Sequence, residues 1–172
     1  MHLRYSIALS AAALGAPPLF AADLAVGVEV PRLSVAEYHR PYVSVWIARP
    51  DQSTAANLAV WFEQKKPNAE GRKWLKDLRQ WWRRSGRELQ LPVDGVTSAT
   101  RPVGKHKLAF SDGAAPLGTL AAGDYQLMVE AAREDGGREL LAIPFQWPPA
   151  KLQQLTVQGK SELGEISLEL KP

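Results

Sequence analysis

The chain has 172 residues, a formal net charge of +3, three histidines and no cysteine. Without cysteine there is no disulfide, no thiolate metal ligand, no C-x-x-C-H haem attachment and no cysteine nucleophile. His39 and His106 are the histidines beyond the N-terminal segment. Two such residues are too few for a histidine-rich metal site.

Residues 1–22 have the organisation of a secretory signal peptide. Arg4 supplies the positive start, residues 7–14 form a short apolar run, and Gly15 with two prolines then breaks any helix. The run is too short to span a bilayer stably, and a retained anchor is the alternative. We therefore expect cleavage near Ala21 or Ala22, leaving an exported chain, residues 23–172, of the size of one domain.

Apolar and polar residues alternate with period two through most of the exported chain. This pattern predicts strands over "AVGVEV", "YVSVWIA", "LAVWFE", "YQLMVEA", "ELLAIPFQW" and "ELGEISLEL", among others. Pro144 inside its strand indicates an edge strand or a bulge. Seven or more short strands at this spacing predict a mostly β fold, an immunoglobulin-like antiparallel β-sandwich.

Two of these strands, "YVSVWIA" and "LAVWFE", are apolar on both faces. In the second strand, alternation predicts that Leu58, Val60 and Phe62 share the interior face. Ala59 and Trp61 then face outward with Trp46 of the first strand. Strands with two apolar faces are usually covered on both sides. We therefore expect another element to cover the outer face.

That cover is predicted to be one amphipathic, basic, tryptophan-rich helix, "EGRKWLKDLRQWWRRSGR", inserted between strands. Its apolar residues recur at helical spacing and form one stripe, and Gly86 is a natural C-terminal cap. We expect this stripe to pack on Trp46 and Trp61. A cofactor or peptide site is the alternative for so many aromatic rings. The stripe consists of Trp74, Leu75, Leu78, Trp81 and Trp82.

The positive charge of the chain is concentrated in this same region. Residues 65–87 hold nine lysines and arginines against Glu70 and Asp77, a net charge of 9 − 2 = +7. Nucleic acid is an unsuitable partner for an exported protein, so an acidic partner, a phosphate or the membrane surface is expected. An ordinary solvated surface is the alternative. The candidate partner-binding residues are Lys76, Arg79, Arg83 and Arg84.

The segment "DGVTSATRPVG", residues 94–104, follows the basic region and leads into a strand. Its composition is typical of a turn, because Asp, Ser and Thr side chains bond nearby backbone N–H groups. The same segment also offers three hydroxyl groups flanked by small residues. It is therefore either a turn or a point of covalent attachment.

Several segments together resemble one uncharacterised family of predicted periplasmic proteins, the domain of unknown function 2271 family. They are "HRPYVSVWIARPD", "LAVWFEQKKPNAEGRKWLKDLRQWWRRSG", "DGVTSATRPVGKHKLAF" and "GDYQLMVEAAREDGG". Residues 104–131 also resemble the immunoglobulin-like fold of flagellar hook-capping proteins. The family resemblance implies a periplasmic role in flavin or iron redox chemistry. It further implies an FAD:protein FMN transferase and a membrane flavin or PepSY-type reductase as partners.

Residues 94–100 resemble the acceptor motif of that transferase, D-x-x-[ST]-G-A-[ST], whose last hydroxyl is esterified to the FMN phosphate. Asp94, Thr97, Ala99 and Thr100 match the motif, whereas Ser98 stands where the motif has glycine. The resemblance thus implies covalent FMN on Thr100. Arg101 and the basic helix could then neutralise the phosphate, and a tryptophan could stack on the flavin ring.

Two functions follow as expectations. The first is a periplasmic accessory protein of a flavin-linked redox system, which carries FMN on Thr100 or docks with a flavoprotein or membrane reductase. The second is a non-catalytic immunoglobulin-like module that binds a protein partner or an anionic surface through its basic helix. No set of residues converges on a reaction, so an enzyme is not expected. The oligomeric state is left open.

Overall fold

A computed structural model describes residues 22–172, and the predicted signal peptide therefore lies outside the described residues except for Ala22. The described chain forms nine strands in two sheets. Among these residues no helix has the length and apolar character needed to cross a membrane. The strands are β1 Asp23–Val30, β2 Tyr42–Ala48, β3 Thr54–Trp61, β4 Thr97–Ser98, β5 Gly104–Ser111, β6 Gly123–Ala132, β7 Arg138–Trp147, β8 Gln153–Gln158 and β9 Glu165–Lys171.

The first sheet has the strand order β5-β1-β9-β8 and the second has the order β4-β3-β2-β6-β7. All pairings are antiparallel except that of the two-residue β4 with β3. Strand β7, which contains Pro144, lies at an edge, where a missing N–H interrupts no ladder on the free side. The predicted β-sandwich is confirmed.

The main core fills the space between the two sheets, with side chains that alternate along each strand as the sequence predicts. Strand β9 contributes three fully buried residues, Ile166, Leu168 and Leu170, and its intervening residues are only partly buried. Because a strand side chain points to alternate faces, the period-two pattern is sufficient to place these residues.

Strand β3 departs from simple alternation, and the predicted faces of several of its residues are wrong. Val45 pairs with Ala59, but the next residue of β2 pairs with Asn57, so Leu58 is the extra residue of a β-bulge. A one-residue shift reverses the side-chain faces beyond it. Leu58 therefore lies in the main core together with Ala59 and Trp61. Val60 and Phe62 instead lie in a second cluster on the outer face.

This outer face of the second sheet is covered by the helical segment, as predicted. Leu75, Leu78 and Trp81 are fully buried against Trp46 and the other residues of the outer cluster. The predicted contact with Trp61 is wrong, because the bulge turns that ring into the main core. The predicted stripe is also incomplete. Trp82 is only half-buried, and the side chain of Trp74 is 41% exposed.

The helical segment is short and broken, whereas the sequence predicts one continuous helix. A 3-10 stretch spans Pro67–Asp77, Leu78 has a non-helical ψ of 70°, and an α-helix, α1, spans only Arg79–Arg84. Gly86 does not cap α1; it lies in the next 3-10 turn beneath the Trp81 ring. A Cβ atom at Gly86 would lie 2.6 Å from that ring, so glycine is required for packing.

The break coincides with a buried carboxylate. Glu130 on β6 is 0% exposed, and its two oxygens accept hydrogen bonds from the backbone N–H groups of Gln80 at 3.0 Å and Trp81 at 2.8 Å. These donors belong to the first turn of α1, whose N–H groups have no partner within the helix. Arg138 pairs with the same carboxylate. Glu130 therefore determines where α1 begins and attaches it to the sheet.

We predict that Glu130→Gln lowers the free energy of unfolding by about 2–3 kcal/mol, because a charged acceptor of two N–H groups and its ion pair are lost in a buried site. Urea denaturation measures the change. The matched control is Glu88→Gln, whose carboxylate is exposed and pairs with the adjacent Arg87, and we expect almost no change there. Equal effects in the two variants would contradict the anchoring role.

A second carboxylate organises the turn between β8 and β9. Glu139 accepts hydrogen bonds from four successive N–H groups, those of residues 160–163, at 2.6 to 3.0 Å. Burial opposes ionisation of this carboxyl, but the four N–H groups outweigh it and hold the pKa of Glu139 below its ordinary value. The ionised side chain therefore stabilises the folded turn.

A lowered pKa in the folded state fixes the sign of the pH dependence. The contribution of ionised Glu139 to the free energy of unfolding is complete above the ordinary glutamate pKa of about 4.3. It is lost as pH falls through the lower folded-state pKa. We therefore predict that Glu139→Gln destabilises the protein at neutral pH and that the difference from the unchanged protein shrinks in acid. Urea denaturation across a pH series measures this, and a pH-independent difference would contradict it.

Candidate functional site

The predicted attachment segment begins as a tight turn. The N–H of Thr97 donates to the carbonyl of Val93 at 2.9 Å, and the N–H of Val93 donates to the hydroxyl of Thr97 at 2.9 Å. Gly95, at the exposed tip beside Asp94, has a φ of 73°, a left-handed conformation that favours glycine. The hydroxyl of Thr97 thus stabilises the turn by accepting a backbone hydrogen bond, as expected for a threonine in such a position.

The segment then joins the edge of the second sheet. Thr97 and Ser98 form β4. The carbonyls of Val96 and Ser98 accept hydrogen bonds from the N–H groups of Val60 in β3, at 2.8 Å, and of Phe62 directly after it, at 3.1 Å. The backbone of Ser98 does not have a positive φ, since the non-glycine residues with that conformation in the described chain are Gln52, Asn68, Ala69 and Asp135. Serine in place of the motif's glycine therefore imposes no left-handed strain here.

Between β4 and β5 the chain crosses from the second sheet to the first. The crossing, residues 99–103, has no regular structure, and β5 begins at Gly104 with a φ of 136°. Ala99 and Arg101 are exposed, whereas Thr100 between them is only 9% exposed. The predicted acceptor residue is therefore mostly covered in this conformation.

Arg101 and two aromatic rings form a compact group at this crossing. The guanidinium carbon of Arg101 lies 5.4 Å from the centroid of the Trp61 ring, within the range of a cation–π interaction. The ring of His106 meets Trp61 edge-on, with 5.7 Å between centroids. Nε2 of His106 is 2.8 Å from the carbonyl oxygen of Pro102. These contacts hold the crossing segment against β3 and β5.

A cleft of about 350 Å³ opens between β3–β4 and β5, at the same side of the sandwich. Of the predicted cofactor-binding residues, Thr97 and Arg101 line this cleft, and Ser98 lies with them. Asp94, Ala99 and Thr100 belong to the same segment but are not among the lining residues. Apolar side chains supply most of the remaining lining, namely Leu58, Ala59, Trp61, Val96, Leu108, Ala109, Phe110 and Pro116.

Trp61 and His106 are members of the site that the sequence alone does not reveal. The sequence predicts Trp61 on the outer face beneath the helix, because the bulge at Leu58 leaves no clear mark in the alternation. The available signal is weak: His106 lies two residues into a strand that directly follows the hydroxyl-rich segment. Its ring meets Trp61 only because β5 and β3 face each other across the open side.

The predicted partner-binding residues lie elsewhere on the molecule. Lys76, Arg79, Arg83 and Arg84 are all exposed, on the helical segment that covers the second sheet. None of them lines the cleft beside Arg101. The structure therefore presents two separate candidate surfaces, a partly apolar cleft and a basic outer layer.

We predict that Thr97→Val lowers the free energy of unfolding by about 1 kcal/mol, because the N–H of Val93 loses its acceptor while the side-chain shape is kept. Thr97→Ser retains the hydroxyl and is the matched control, with an expected loss well below that of the valine variant. Both are measured by urea denaturation. Equal losses would show that the methyl group, and not the hydroxyl, maintains the turn.

Comparison with known proteins identifies one family. Residues 23–165 match the family model described as "Predicted periplasmic protein (DUF2271)", which confirms the family resemblance seen in the sequence. No curated protein and no solved structure matches the chain. The resemblance to flagellar hook-capping proteins stays a prediction.

Proposed function

The chain belongs to the DUF2271 family of predicted periplasmic proteins, and on that premise we propose that it is a periplasmic accessory protein of a flavin-linked redox system. In this role it carries FMN on Thr100 or docks with a flavoprotein or a membrane flavin or PepSY-type reductase. The modifying partner is an FAD:protein FMN transferase, as the acceptor-like motif implies. The export signal at residues 1–22 belongs to the same proposal.

One observation carries this proposal. The guanidinium carbon of Arg101 lies 5.4 Å from the centroid of the Trp61 ring, beside the acceptor-like motif. Both residues line the same cleft. FMN combines a phosphate with a large flat ring. A guanidinium is suited to binding a phosphate, and the apolar side chains of the cleft are suited to packing against a flavin ring. The Trp61 ring is 1% exposed and would hold Arg101 in place without stacking on the flavin. The residues present therefore fit the cofactor chemically.

The transfer step consists of one bond formed and one broken. The hydroxyl oxygen of Thr100 attacks the phosphorus on the riboflavin side of FAD and forms a phosphoester. The pyrophosphate bond breaks, AMP leaves with the bridging oxygen, and the hydroxyl proton is released to it or to water. No electron is transferred. The chain itself supplies the hydroxyl, and Arg101 neutralises charge on the attached phosphate.

Thr100 must become accessible for this step, since it is only 9% exposed. The crossing segment that contains it is irregular, and β4 before it has two residues paired to one strand only. Such edge segments open at low free-energy cost compared with the core. Glycine at position 98 would add backbone freedom to this opening. We therefore expect Ser98 to slow modification without preventing it.

We predict that co-expression with an FAD:protein FMN transferase in the periplasm raises the intact mass by one FMN less one water. Thr100→Ala abolishes the gain because the acceptor oxygen is removed. Thr97→Ser retains it, since the turn keeps its hydroxyl. Ser98→Gly increases the modified fraction. Intact mass spectrometry measures all four proteins, and flavin fluorescence on a denaturing gel provides a second readout.

Two outcomes would count against the covalent form of the proposal. An unshifted mass for both the unchanged protein and Ser98→Gly would exclude FMN attachment. An adduct that peptide mapping places on Thr97 or Ser98 would exclude Thr100 as the acceptor. Circular dichroism of Thr100→Ala must match that of the unchanged protein, so that loss of flavin is not loss of fold.

A second candidate function, a non-catalytic module that binds through its basic helical segment, is favoured by a different observation. The cations of that segment are exposed and lie away from the cleft. Binding by this surface requires no flavin. The two functions are therefore compatible in one protein and are tested separately.

A further inference from the structure

The outer side of the helical segment has a high density of positive charge. Residues 72–87 contain seven basic residues against Asp77 alone, a net charge of 7 − 1 = +6. All seven side chains are exposed, because the buried positions of the segment are occupied by apolar residues packed on the sheet. With Trp74 they form what we call the basic surface: Arg72, Lys73, Lys76, Arg79, Arg83, Arg84 and Arg87.

Little of this charge is neutralised within residues 22–172. Lys73 lies 3.7 Å from Glu70, and Arg87 lies 3.8 Å from its neighbour Glu88. Both pairs are exposed, and such pairs are weak. Arg83 donates to the side-chain oxygen of Gln80 and to a main-chain carbonyl, neither of which carries a formal charge. The basic surface therefore presents nearly its full charge outward.

Trp74 adds an aromatic ring to the basic surface. It is 41% exposed and Trp82 is half-buried, whereas Trp46, Trp61, Trp81 and Trp147 are buried. An exposed indole is costly in water and favourable at a membrane–water interface, where tryptophan is enriched. Segments that lie on anionic lipid surfaces combine lysines and arginines with such a ring. Trp74 also lines a cleft with Asp77, Glu134 and Asp135, so it lies at the margin of the basic surface.

We infer that the basic surface docks the protein on an anionic phospholipid surface. The centre of a protein–protein contact is depleted of charged residues and is more apolar than its rim. The exposed large apolar residues of the described chain are Val35, Tyr38, Trp74, Val103 and Leu152, and of these only Trp74 lies in the basic surface. Lipid headgroups require distributed cations and one interfacial anchor, which this surface provides.

Docking would also fix the position of the cleft relative to the lipid. Val93 and Val96, which lead into the acceptor-like motif, pack in the same outer cluster as the helical segment. The motif and the basic surface are thus parts of one packed unit. The docking inference does not depend on flavin attachment, because it rests on charge and exposure alone.

The test uses vesicles of phosphatidylglycerol and phosphatidylcholine, with vesicles of phosphatidylcholine alone as reference. We expect the purified protein to sediment with the anionic vesicles at low ionic strength and to be released by high salt, as screening requires. The triple variant Lys76→Gln, Arg79→Gln, Arg84→Gln should lower the partition coefficient roughly a hundredfold, because each basic residue near the surface contributes about a fivefold factor.

A matched control removes the same charge from the other side of the sandwich. Lys107→Gln, Lys151→Gln, Lys160→Gln changes three exposed lysines on or beside the first sheet, and we expect its partition coefficient to change by less than about threefold. Equal losses in the two triple variants would overturn the assignment to the basic surface. Absence of sedimentation by the unchanged protein would overturn lipid docking and favour an acidic protein partner.

Fluorescence tests the orientation independently. Brominated lipid in the anionic vesicles should quench part of the tryptophan emission of the bound protein, and Trp74→Phe should remove most of that quenching. Trp74 can be changed without opening the core, since it belongs to neither of the two core clusters. Undiminished quenching in Trp74→Phe would show that the Trp74 ring does not meet the lipid and would overturn its role as the interfacial anchor.

Discussion

The structure depends on how the outer face of the second sheet is covered. That face is apolar, and apolar burial alone is non-directional, so it does not determine where a short helix begins or how it is oriented. The buried carboxylate of Glu130 supplies the direction, because its two oxygens accept the free N–H groups at the start of α1. The indole N–H of Trp81 also donates a hydrogen bond to the side-chain oxygen of Asn57, so both the backbone and the ring of this residue are held.

The position of the helical segment on the second sheet determines both candidate surfaces, the basic outer layer and the cleft. The apolar side chains of the helical segment are used against the sheet, so its basic side chains face outward. The chain then returns along the same cluster through Val93 and Val96 to the edge of β3. That return places the acceptor-like segment at the open side of the sandwich, beside Trp61 and β5. A change in the cover would therefore alter the basic layer and the cleft together.

The acceptor-like segment is a turn that also lies beside a cleft. It is a turn, with the hydroxyl of Thr97 satisfying a backbone N–H and Gly95 in the left-handed conformation. It also carries a cation and lies against an indole within a partly apolar cleft, which a turn alone does not require. Thr100 is the residue for which the sequence is least informative, because its burial depends on how residues 99–103 cross between the sheets.

The sequence by itself determined the sandwich, the covered outer face, the position of the charge and the identity of the turn. These features are local: period-two alternation, a cluster of basic residues and turn-forming side chains act on their neighbours in the chain. Only the tertiary structure decided the break at Leu78, the faces of β3 beyond its bulge and the meeting of Trp61, Arg101 and His106. Each of these features depends on a partner that is distant in sequence. Glu130 determines where α1 begins, and β5 brings His106 to Trp61. The residue pattern within one segment does not reveal such partners.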